Sequence, residues 1–304
     1  MKHLKHILIS LLLVVMSTVL FVGCGSKTTT MTDRAGNEFT TPKKMEKIIS
    51  TAPSNTEILV GLGLGDKLIA IDKYSDDIEG INKDITKIDF RNPDAEAIIG
   101  LEPDIVIASG HNQEGSEDPF KVIKDAGITV VYLPSSESIE GIYEDIDFLS
   151  KLTGTESEGK KIVDEMKSEV DKIKETASTI KDKKKVYFEI GSTPSLYSFG
   201  NKTFLNEMLE TIGAENVFAK EEGWISPSEE SVISANPDVI LTNEGYIENA
   251  TDAIKKRPGF ENVNAVKNNQ VFLVDKNTTS RGSQNIVKAL KEMAKDIYPN
   301  EYKE

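Results

Sequence analysis

A helix-turn-strand segment occurs twice in this chain, 134 positions apart, and it constrains the fold more than any other feature. The copies begin at Asn92 and Ser226, polar residues that can cap a helix, and each is followed by a proline suited to the first helical turn. Each copy has a glutamate four residues after the cap, Glu96 or Glu230, and then Pro-Asp before an apolar strand. One such unit in each half predicts two similar lobes with a ligand-binding cleft between them. The alternative is two ordinary capped helices with no shared role.

Short apolar strands alternate with helices through both halves of the chain, a pattern typical of parallel sheets covered on both faces. Apolar residues between positions 155 and 181 recur at helical spacing, which predicts one long helix midway along the chain. It could bridge two lobes or lie on the surface of one. The predicted fold is therefore α/β, with two Rossmann-like lobes of parallel-rich sheets (residues 32–153 and 183–304) joined by a single long helix (residues 154–182). The predicted strands cover residues 47–52, 68–71, 105–108, 129–133, 185–190, 239–242 and 271–274. The shorter predicted helices cover residues 118–126, 203–212 and 283–297. One more helix is predicted to begin at Pro53, where Ser54 and Glu57 have the spacing of a capping box.

The N-terminus is typical of a bacterial lipoprotein signal. Lys2 and Lys5 precede an apolar run, and a small residue then leads into Cys24. We expect cleavage before Cys24, so that residues 1–23 are the signal peptide and residues 24–31 are a tether to lipid on the Cys24 sulfur. This predicts a protein anchored at the extracellular face of the cytoplasmic membrane. Phe21 is unusual at its position in such a signal, and an uncleaved membrane anchor is the alternative.

The composition excludes several classes of site. Cys24 is the only cysteine, so the mature chain has no intramolecular disulfide and no cysteine nucleophile. Two of the three histidines lie in the signal, so His111 alone remains, and a multi-histidine metal site cannot form. The formal charge of −14 becomes about −16 once the signal lysines are removed, which argues against nucleic acid as a partner. We expect a monomer with no cofactor and no resident metal.

The loops that follow the carboxyl ends of the predicted strands are where ligands bind in open parallel sheets. Several of these loops hold aromatic residues, which could form a platform for a large flat or apolar ligand or could simply cover helix ends. His111 could coordinate a metal carried by the ligand, or be an ordinary loop histidine. Arg281 could pair with an anionic ligand group, or be solvated. The candidate ligand-binding residues are Tyr74, Phe90, Arg91, His111, Tyr197, Trp224, Tyr246 and Arg281.

Several segments resemble one known family. The segment Ile-Ile-Ser-Thr-Ala-Pro-Ser-Asn-Thr-Glu at residues 48–57, the stretch from Trp224 to Ile240 and Arg-Pro-Gly-Phe at residues 257–260 are similar to cobalamin- or ferric-siderophore-binding lipoproteins of ABC importers. The resemblance covers residues 32–299 and implies two lobes joined by one rigid helix. The family's usual Arg-Pro-Gly-Pro-Arg near the end is replaced by Arg-Gly-Ser-Gln-Asn at residues 281–285.

The resemblance also assigns roles to residues. It implies that Glu96 and Glu230 dock onto arginines of a permease dimer, two like acids facing a two-fold symmetric partner. It places Tyr74 and Trp224 around a corrin ring, with Tyr197 as an approximate match. Phe90 stands where a tryptophan is common.

The resulting functional expectation is a solute-binding protein rather than an enzyme. It would capture a corrinoid such as cobalamin and deliver it to an ABC permease dimer driven by a cytoplasmic ATPase. Aromatic residues without an arginine cluster favour a corrinoid, and a ferric siderophore or haem is the nearest alternative. An extracellular hydrolase with paired carboxylates would require Glu96 and Glu230 in one pocket. A scaffold or adhesin would lack a ligand-sized cleft.

Overall fold

The computed structural model describes residues 28–110 and 118–303. The predictions for the signal peptide, for Cys24 and for His111 lie outside the described residues. Within those two ranges, none of the helices is long and apolar enough to cross a membrane.

The N-terminal lobe is built on a five-stranded parallel sheet. Its elements are β1 (Thr30–Thr32), β2 (Glu38–Thr40), β3 (Ile48–Ser50), α1 (Pro53–Gly61), β4 (Leu68–Asp72), β5 (Thr86–Ile88), α2 (Ala95–Gly100), β6 (Ile105–Ser109), α3 (Lys121–Asp125), β7 (Thr129–Leu133) and α4 (Ile139–Thr153). The strand order is β5-β4-β3-β6-β7, and β1 and β2 form a separate antiparallel hairpin. The central strands β3 and β6 are fully buried, as expected of parallel strands covered by helices on both faces.

The C-terminal lobe repeats this plan on a smaller parallel sheet. Its elements are β8 (Lys185–Glu189), β9 (Ser198–Phe199), α6 (Phe204–Ile212), β10 (Glu215–Asn216), β11 (Trp224–Ile225), α7 (Glu229–Ala235), β12 (Val239–Thr242), α8 (Ala250–Lys255), α9 (Asn264–Lys267), β13 (Val271–Leu273), α10 (Lys276–Ser280) and α11 (Ile286–Ile297). The strand order is β10-β8-β12-β13, while β9 and β11 pair as a small antiparallel ribbon. The predicted fold class, two lobes with parallel sheets, is therefore confirmed.

A single long helix, α5 (Glu156–Ser178), connects the lobes. It is shorter than the predicted bridge of residues 154–182 at both ends, and at its start this is because Gly154 adopts a left-handed conformation that ends α4. Met166, Val170 and Ile173 form its buried face and join one apolar core that includes residues of both lobes. The lobes are therefore packed on a common core, and not merely tethered.

The two repeated segments form helices, but their caps lie two residues later than predicted. Asp94 Oδ1 accepts the N–H of Ala97 at 3.0 Å, and Ser228 Oγ accepts the N–H of Ser231 at 3.1 Å. Asn92 and Ser226 are therefore not the caps. The shift is the same in both copies, so the two glutamates still occupy equivalent places.

The predicted capping box at the start of α1 is also wrong. The helix begins at Pro53 as predicted, but no side chain caps it. Glu57 is buried and points its carboxylate at residues of the other lobe. A buried carboxylate needs hydrogen-bond donors, and Glu57 finds them on the other lobe instead of at the start of its own helix.

Candidate functional site

The chain reverses its strand order at one point in each sheet, and both points face the same cavity. In the N-terminal lobe the reversal lies between β3 and β6, and in the C-terminal lobe it lies between β8 and β12. A cavity of about 500 Å³ lies between the lobes, and Ala52, Ser109, Ile190 and Asn243, at or just beyond the ends of these four strands, all line it. Ligands of open α/β sheets bind at such reversal points. The cavity is therefore the candidate binding site.

The cavity is lined by polar and apolar residues and continues beyond its first chamber. An adjoining cavity of about 410 Å³ shares Ser54, Ser135 and Ser280 with it and extends to Tyr74 and Asp77. Hydroxyl and amide groups can donate or accept hydrogen bonds without carrying charge. The joined space therefore suits a large ligand with many neutral polar groups.

Two aromatic residues of the C-terminal lobe form a stacked platform at the cavity. The rings of Tyr197 and Trp224 lie 6.1 Å apart at an angle of 14°, and both line the cavity. Pairing of β9 with β11 brings them together, and the ring of Phe199 supports Trp224 edge-on at 6.3 Å. Trp224 is 50% exposed, so the stacked pair leaves a broad apolar surface open to a flat ligand.

A second aromatic pair lies in the N-terminal lobe. Tyr74 is exposed and lines the adjoining cavity, and the half-buried Phe90 packs against it edge-on with ring centroids 6.4 Å apart. The guanidinium of Arg91 lies over the Phe90 ring at 5.5 Å, and the ammonium of Lys73 lies over Tyr74 at 5.2 Å. Such cation–π contacts hold the rings in place. Phe90 thus packs against Tyr74 and Arg91 packs against Phe90, and neither Phe90 nor Arg91 is part of the lining of the two cavities.

Tyr246 stands outside the lining of these two cavities. Its ring is exposed, and its hydroxyl donates to Oε1 of Glu244 at 2.6 Å. This hydrogen bond, with some burial, raises the pKa of Tyr246 to about 12. The ammonium of Lys276 lies over the ring at 5.1 Å. The side chain is therefore held in place at the edge of the C-terminal lobe.

The guanidinium of Arg281, which lines the adjoining cavity, is paired with two acids of the protein. Arg281 is 8% exposed, and Nη1 donates to Glu57 Oε1 at 2.9 Å. Nη2 donates to Asp77 Oδ1 at 2.7 Å and to the Tyr74 carbonyl at 2.9 Å. Burial alone would raise the pKa of Asp77, but the hydrogen bonds and charge of Arg281 lower it. The buried carboxylate of Glu57 requires a counter-charge, and Arg281 supplies it.

Glu96 and Glu230 are exposed residues in the first turns of α2 and α7. Neither lines either cavity between the lobes. Hydrogen bonds from its own N–H and from Ser228 lower the pKa of Glu230, so this acid stays ionised. A hydrolase that uses this pair would need both carboxylates in one pocket, and they are not there. In residues 28–110 and 118–303, no group of three or more histidine, cysteine or acidic side chains is placed to hold a metal ion.

Sequence reasoning missed the polar residues of the cavity, above all Asn55 and Asn243. Asn243 follows β12 directly, and Asn55 lies in the first turn of α1, just after β3. Their positions directly after strand ends are the sequence signal that could have identified them. Asn55 is 3% exposed, and its Nδ2 has no hydrogen-bond partner in the described part of the chain.

Two lobes with parallel sheets, one connecting helix and a cavity at both reversal points define a bilobed ligand-binding protein. A family model described as periplasmic binding protein matches residues 48–278, and the chain belongs to this family. An uncharacterised ABC transporter substrate-binding lipoprotein of Bacillus subtilis is 35% identical over 90% of this chain and 87% of its own length. A vitamin B12-binding protein of Vibrio campbellii is 28% identical over 82% of this chain and 88% of its own length. A solved structure from Staphylococcus epidermidis, described as a possible iron-binding periplasmic solute-binding protein, is 36% identical with a TM-score of 0.75, over 84% of this chain and 100% of that one.

Proposed function

We propose that this protein is the extracellular, membrane-tethered substrate-binding protein of an ABC importer and that it captures a corrinoid such as cobalamin. The observation that carries the proposal is the cavity between the lobes with an aromatic surface on each side, Tyr197 and Trp224 on one lobe and Tyr74 on the other. The protein binds and delivers its ligand without changing it.

The chemistry of the site favours a corrinoid. A corrin is a flat, largely apolar ring, which suits the stacked pair of Tyr197 and Trp224. Its side arms end in neutral amides, which match the hydroxyl and amide groups of the cavity lining. Arg281, which lines the adjoining cavity, is already paired with two acids. The name of the Vibrio campbellii relative points in the same direction.

The alternative ligand is a ferric siderophore or haem in the same cleft. The solved Staphylococcus epidermidis relative is described as possibly iron-binding and is more similar in sequence than the vitamin B12-binding protein. A hydroxamate complex would suit the hydroxyl and amide groups of the lining as well as a corrinoid does. The transporter role is common to both alternatives.

Delivery requires a surface for the importer and a link to the membrane. We assign the docking surface to Glu96 and Glu230, which occupy equivalent exposed positions on the two lobes and can face a two-fold symmetric permease dimer. We assign the link to the membrane to a lipid on Cys24 and to the tether of residues 24–31. The protein would act as a monomer.

Isothermal titration calorimetry on the full-length protein in detergent tests the proposal. The probes are cyanocobalamin, the ferric hydroxamate ferrioxamine B and haem, each also titrated into detergent alone. We expect tight one-to-one binding of cyanocobalamin. Binding of an iron complex only would identify the ligand as an iron complex and the role as iron uptake. No response to any of the three probes would refute the proposal for this group of ligands.

A further inference from the structure

We propose that Ser136 and Asp145 form a hydrogen-bond acceptor subsite in the cavity of about 500 Å³ between the lobes, the main cavity. The subsite selects ligands that bring an N–H group to it, such as a primary amide or an ammonium, and disfavours ligands that bring a carboxylate. This inference rests on the proposed function, because the subsite lies in the cavity assigned to the ligand, and it names the chemistry that this part of the cavity recognises.

The first observation is the direction of the Ser136 hydroxyl. Ser136 lies in the loop between β7 and α4, is half-buried and lines the main cavity. Its hydroxyl donates to Oδ2 of Asp145. A hydroxyl has one hydrogen and two lone pairs, and a carboxylate can only accept. The hydrogen of Ser136 is thus used within the protein, while no residue of the ranges 28–110 and 118–303 donates to its oxygen. Toward the cavity, Ser136 can therefore only accept.

The start of α4 holds this hydrogen bond in place. Ser136 lies two residues before Ser138, which caps α4, and Asp145 belongs to the buried face of that helix. Gly141, one turn before Asp145, leaves room for the serine: a Cβ at position 141 would lie 3.1 Å from Ser136 Oγ, closer than such contacts usually are. The Ser136 side chain can therefore reach Asp145 across the first turn of the helix.

The second observation is that the charge of Asp145 is only partly neutralised. Asp145 is 5% exposed, and among the described residues that line the main cavity it is the only charged one. Arg34 Nε donates to its Oδ1 at 2.7 Å, but Nη2 of the same guanidinium pairs with Glu144 at 2.7 Å. One positive charge thus faces two negative charges, and Arg34 lines neither cavity. The wall of the main cavity at Ser136 is therefore net negative.

Another serine of the main cavity has the opposite polarity. Ser280 Oγ accepts from Nδ2 of Asn243 at 3.2 Å, and its own hydrogen has no acceptor in the described part of the chain. Ser280 can therefore donate to a ligand, whereas Ser136 can only accept. A primary amide has both a carbonyl oxygen and N–H groups, so amide arms suit both serines. A carboxylate at Ser136 would bring no hydrogen and would lie beside the charge of Asp145.

The adjoining cavity differs in charge from the main cavity. Lys276 and Arg281 line it, together with Asp77, which pairs with Arg281. A negative group of the ligand can therefore be accommodated there, so the subsite acts only on the groups that enter the main cavity. For a corrinoid these are amide arms of the ring, and for ferrioxamine B the group is its free ammonium.

The first test needs none of the large ligands. It compares the paramagnetic relaxation of the Ser136 backbone amide by a cationic and an anionic nitroxide, aminomethyl-PROXYL and carboxy-PROXYL, in ¹⁵N-labelled full-length protein in detergent. A negative wall attracts the cation and repels the anion. Asp145→Asn should lower the ratio of the two relaxation effects at least about twofold. Asp147→Asn, at an exposed aspartate of α4, removes the same charge and should lower the ratio less. Equal effects of the two variants would overturn the subsite.

The second test compares matched ligands by calorimetry. One pair is cyanocobalamin and its monocarboxylic acids, in each of which one side-chain amide is replaced by a carboxylate. The other pair is ferrioxamine B and its succinylated form, in which the ammonium is replaced by an arm that ends in a carboxylate. Whichever parent binds the wild type should bind about tenfold tighter than its acid, or than at least one of the isomeric acids. Ser136→Ala and Asp145→Asn should each reduce this preference to about threefold or less, whereas Ser280→Ala should keep it.

The two proposals fail in different ways. If a parent and all its acids bind the wild type equally well, the transporter role stands and the subsite is wrong. Binding of haem alone would also overturn the subsite, because haem offers two carboxylates and no N–H group. If neither parent nor haem binds but Asp145→Asn lowers the nitroxide ratio more than Asp147→Asn does, the subsite stands and the proposed ligand group is wrong.

Discussion

Arg281 of the C-terminal lobe donates from Nη1 to Oε1 of Glu57 in the N-terminal lobe at 2.9 Å, across 224 positions of sequence, and both side chains are more than nine-tenths buried. The Ser283 hydroxyl and Nδ2 of Asn285, the latter at 2.8 Å, also donate to the Glu57 carboxylate. The segment after α10 is thus bound to the start of α1. It joins the lobes at a second place, in addition to the connecting helix α5.

Replacing Arg281 by glutamine should destabilise the protein strongly. Removal of one partner of a buried ion pair leaves the other charge uncompensated, which costs about 3–5 kcal/mol of the free energy of unfolding. Urea unfolding followed by circular dichroism measures this change. Arg91→Gln, at an exposed arginine whose guanidinium lies over the Phe90 ring, is the control and should change stability by less than about 1 kcal/mol. Equal stabilities for the two variants would show that the Arg281 contacts contribute little.

The lobes should keep their relative position when the ligand binds. Helix α5, the common apolar core and the Arg281–Glu57 contact all resist a hinge motion. Small-angle scattering with and without the ligand identified by calorimetry should give the same radius of gyration within error. A marked contraction on loading would contradict the rigid arrangement.

The strands were the part of the fold most easily predicted from the sequence. β7 and β12 begin and end at the predicted residues because a parallel strand buried on both faces is a continuous apolar run between polar turns. Helix α4 was missed, although Ser138 caps it and Ile139, Ile142, Ile146 and Leu149 form its buried face. It ends at Gly154, just before the longer and more charged α5, which dominated the periodicity in this region.

The candidate site was only partly predictable. Tyr197 and Trp224 were each singled out by their loops, but their stacking depends on two-residue strands that no local pattern reveals. The partner of Arg281 lies more than two hundred residues away, so the sequence could not distinguish a ligand contact from an ion pair within the fold. The unpaired amide of Asn55 is a property of the packed structure alone.

Replacing Trp224 by alanine should weaken ligand binding by about tenfold or more, because it removes half of the stacked platform and its apolar contact area. The expected loss is measured by calorimetry with the probe that binds the wild type. Val122→Ala, at an exposed apolar residue of α3 outside the lining of both cavities, is the matched control and should bind normally. Since Trp224 is the only tryptophan, its fluorescence should also be quenched when cyanocobalamin or haem binds the wild type. Unchanged affinity in Trp224→Ala would place the ligand elsewhere.

Combined Glu96→Ala and Glu230→Ala replacements should abolish most uptake while leaving ligand affinity intact. The two acids are exposed, equivalent on the two lobes and outside the cavity lining, so their loss should affect only contact with the permease. Uptake of radiolabelled ligand into cells and calorimetry on the purified variant measure the two properties separately. Glu158→Ala with Glu165→Ala on α5 makes the same charge change at exposed positions and should transport normally. Weaker ligand binding by the purified Glu96 and Glu230 variant would argue against a docking role.

Asp296 should make stability depend on pH in the mildly acidic range. Burial in α11, with a smaller effect from Glu292, raises the pKa of Asp296 from 3.8 to about 6. A carboxyl whose pKa is higher in the folded state favours folding when protonated, so its contribution is fully present below about pH 4 and is lost as the pH rises through 6. Asp296→Asn should therefore raise the thermal midpoint relative to the wild type by roughly 2 °C at pH 7, and by nothing at pH 4. Asp84→Asn, at an exposed loop aspartate, is the control for removing one negative charge. A rise in the thermal midpoint of Asp296→Asn that is equal at pH 4 and pH 7 would have to come from packing rather than from the ionisation of the buried carboxyl.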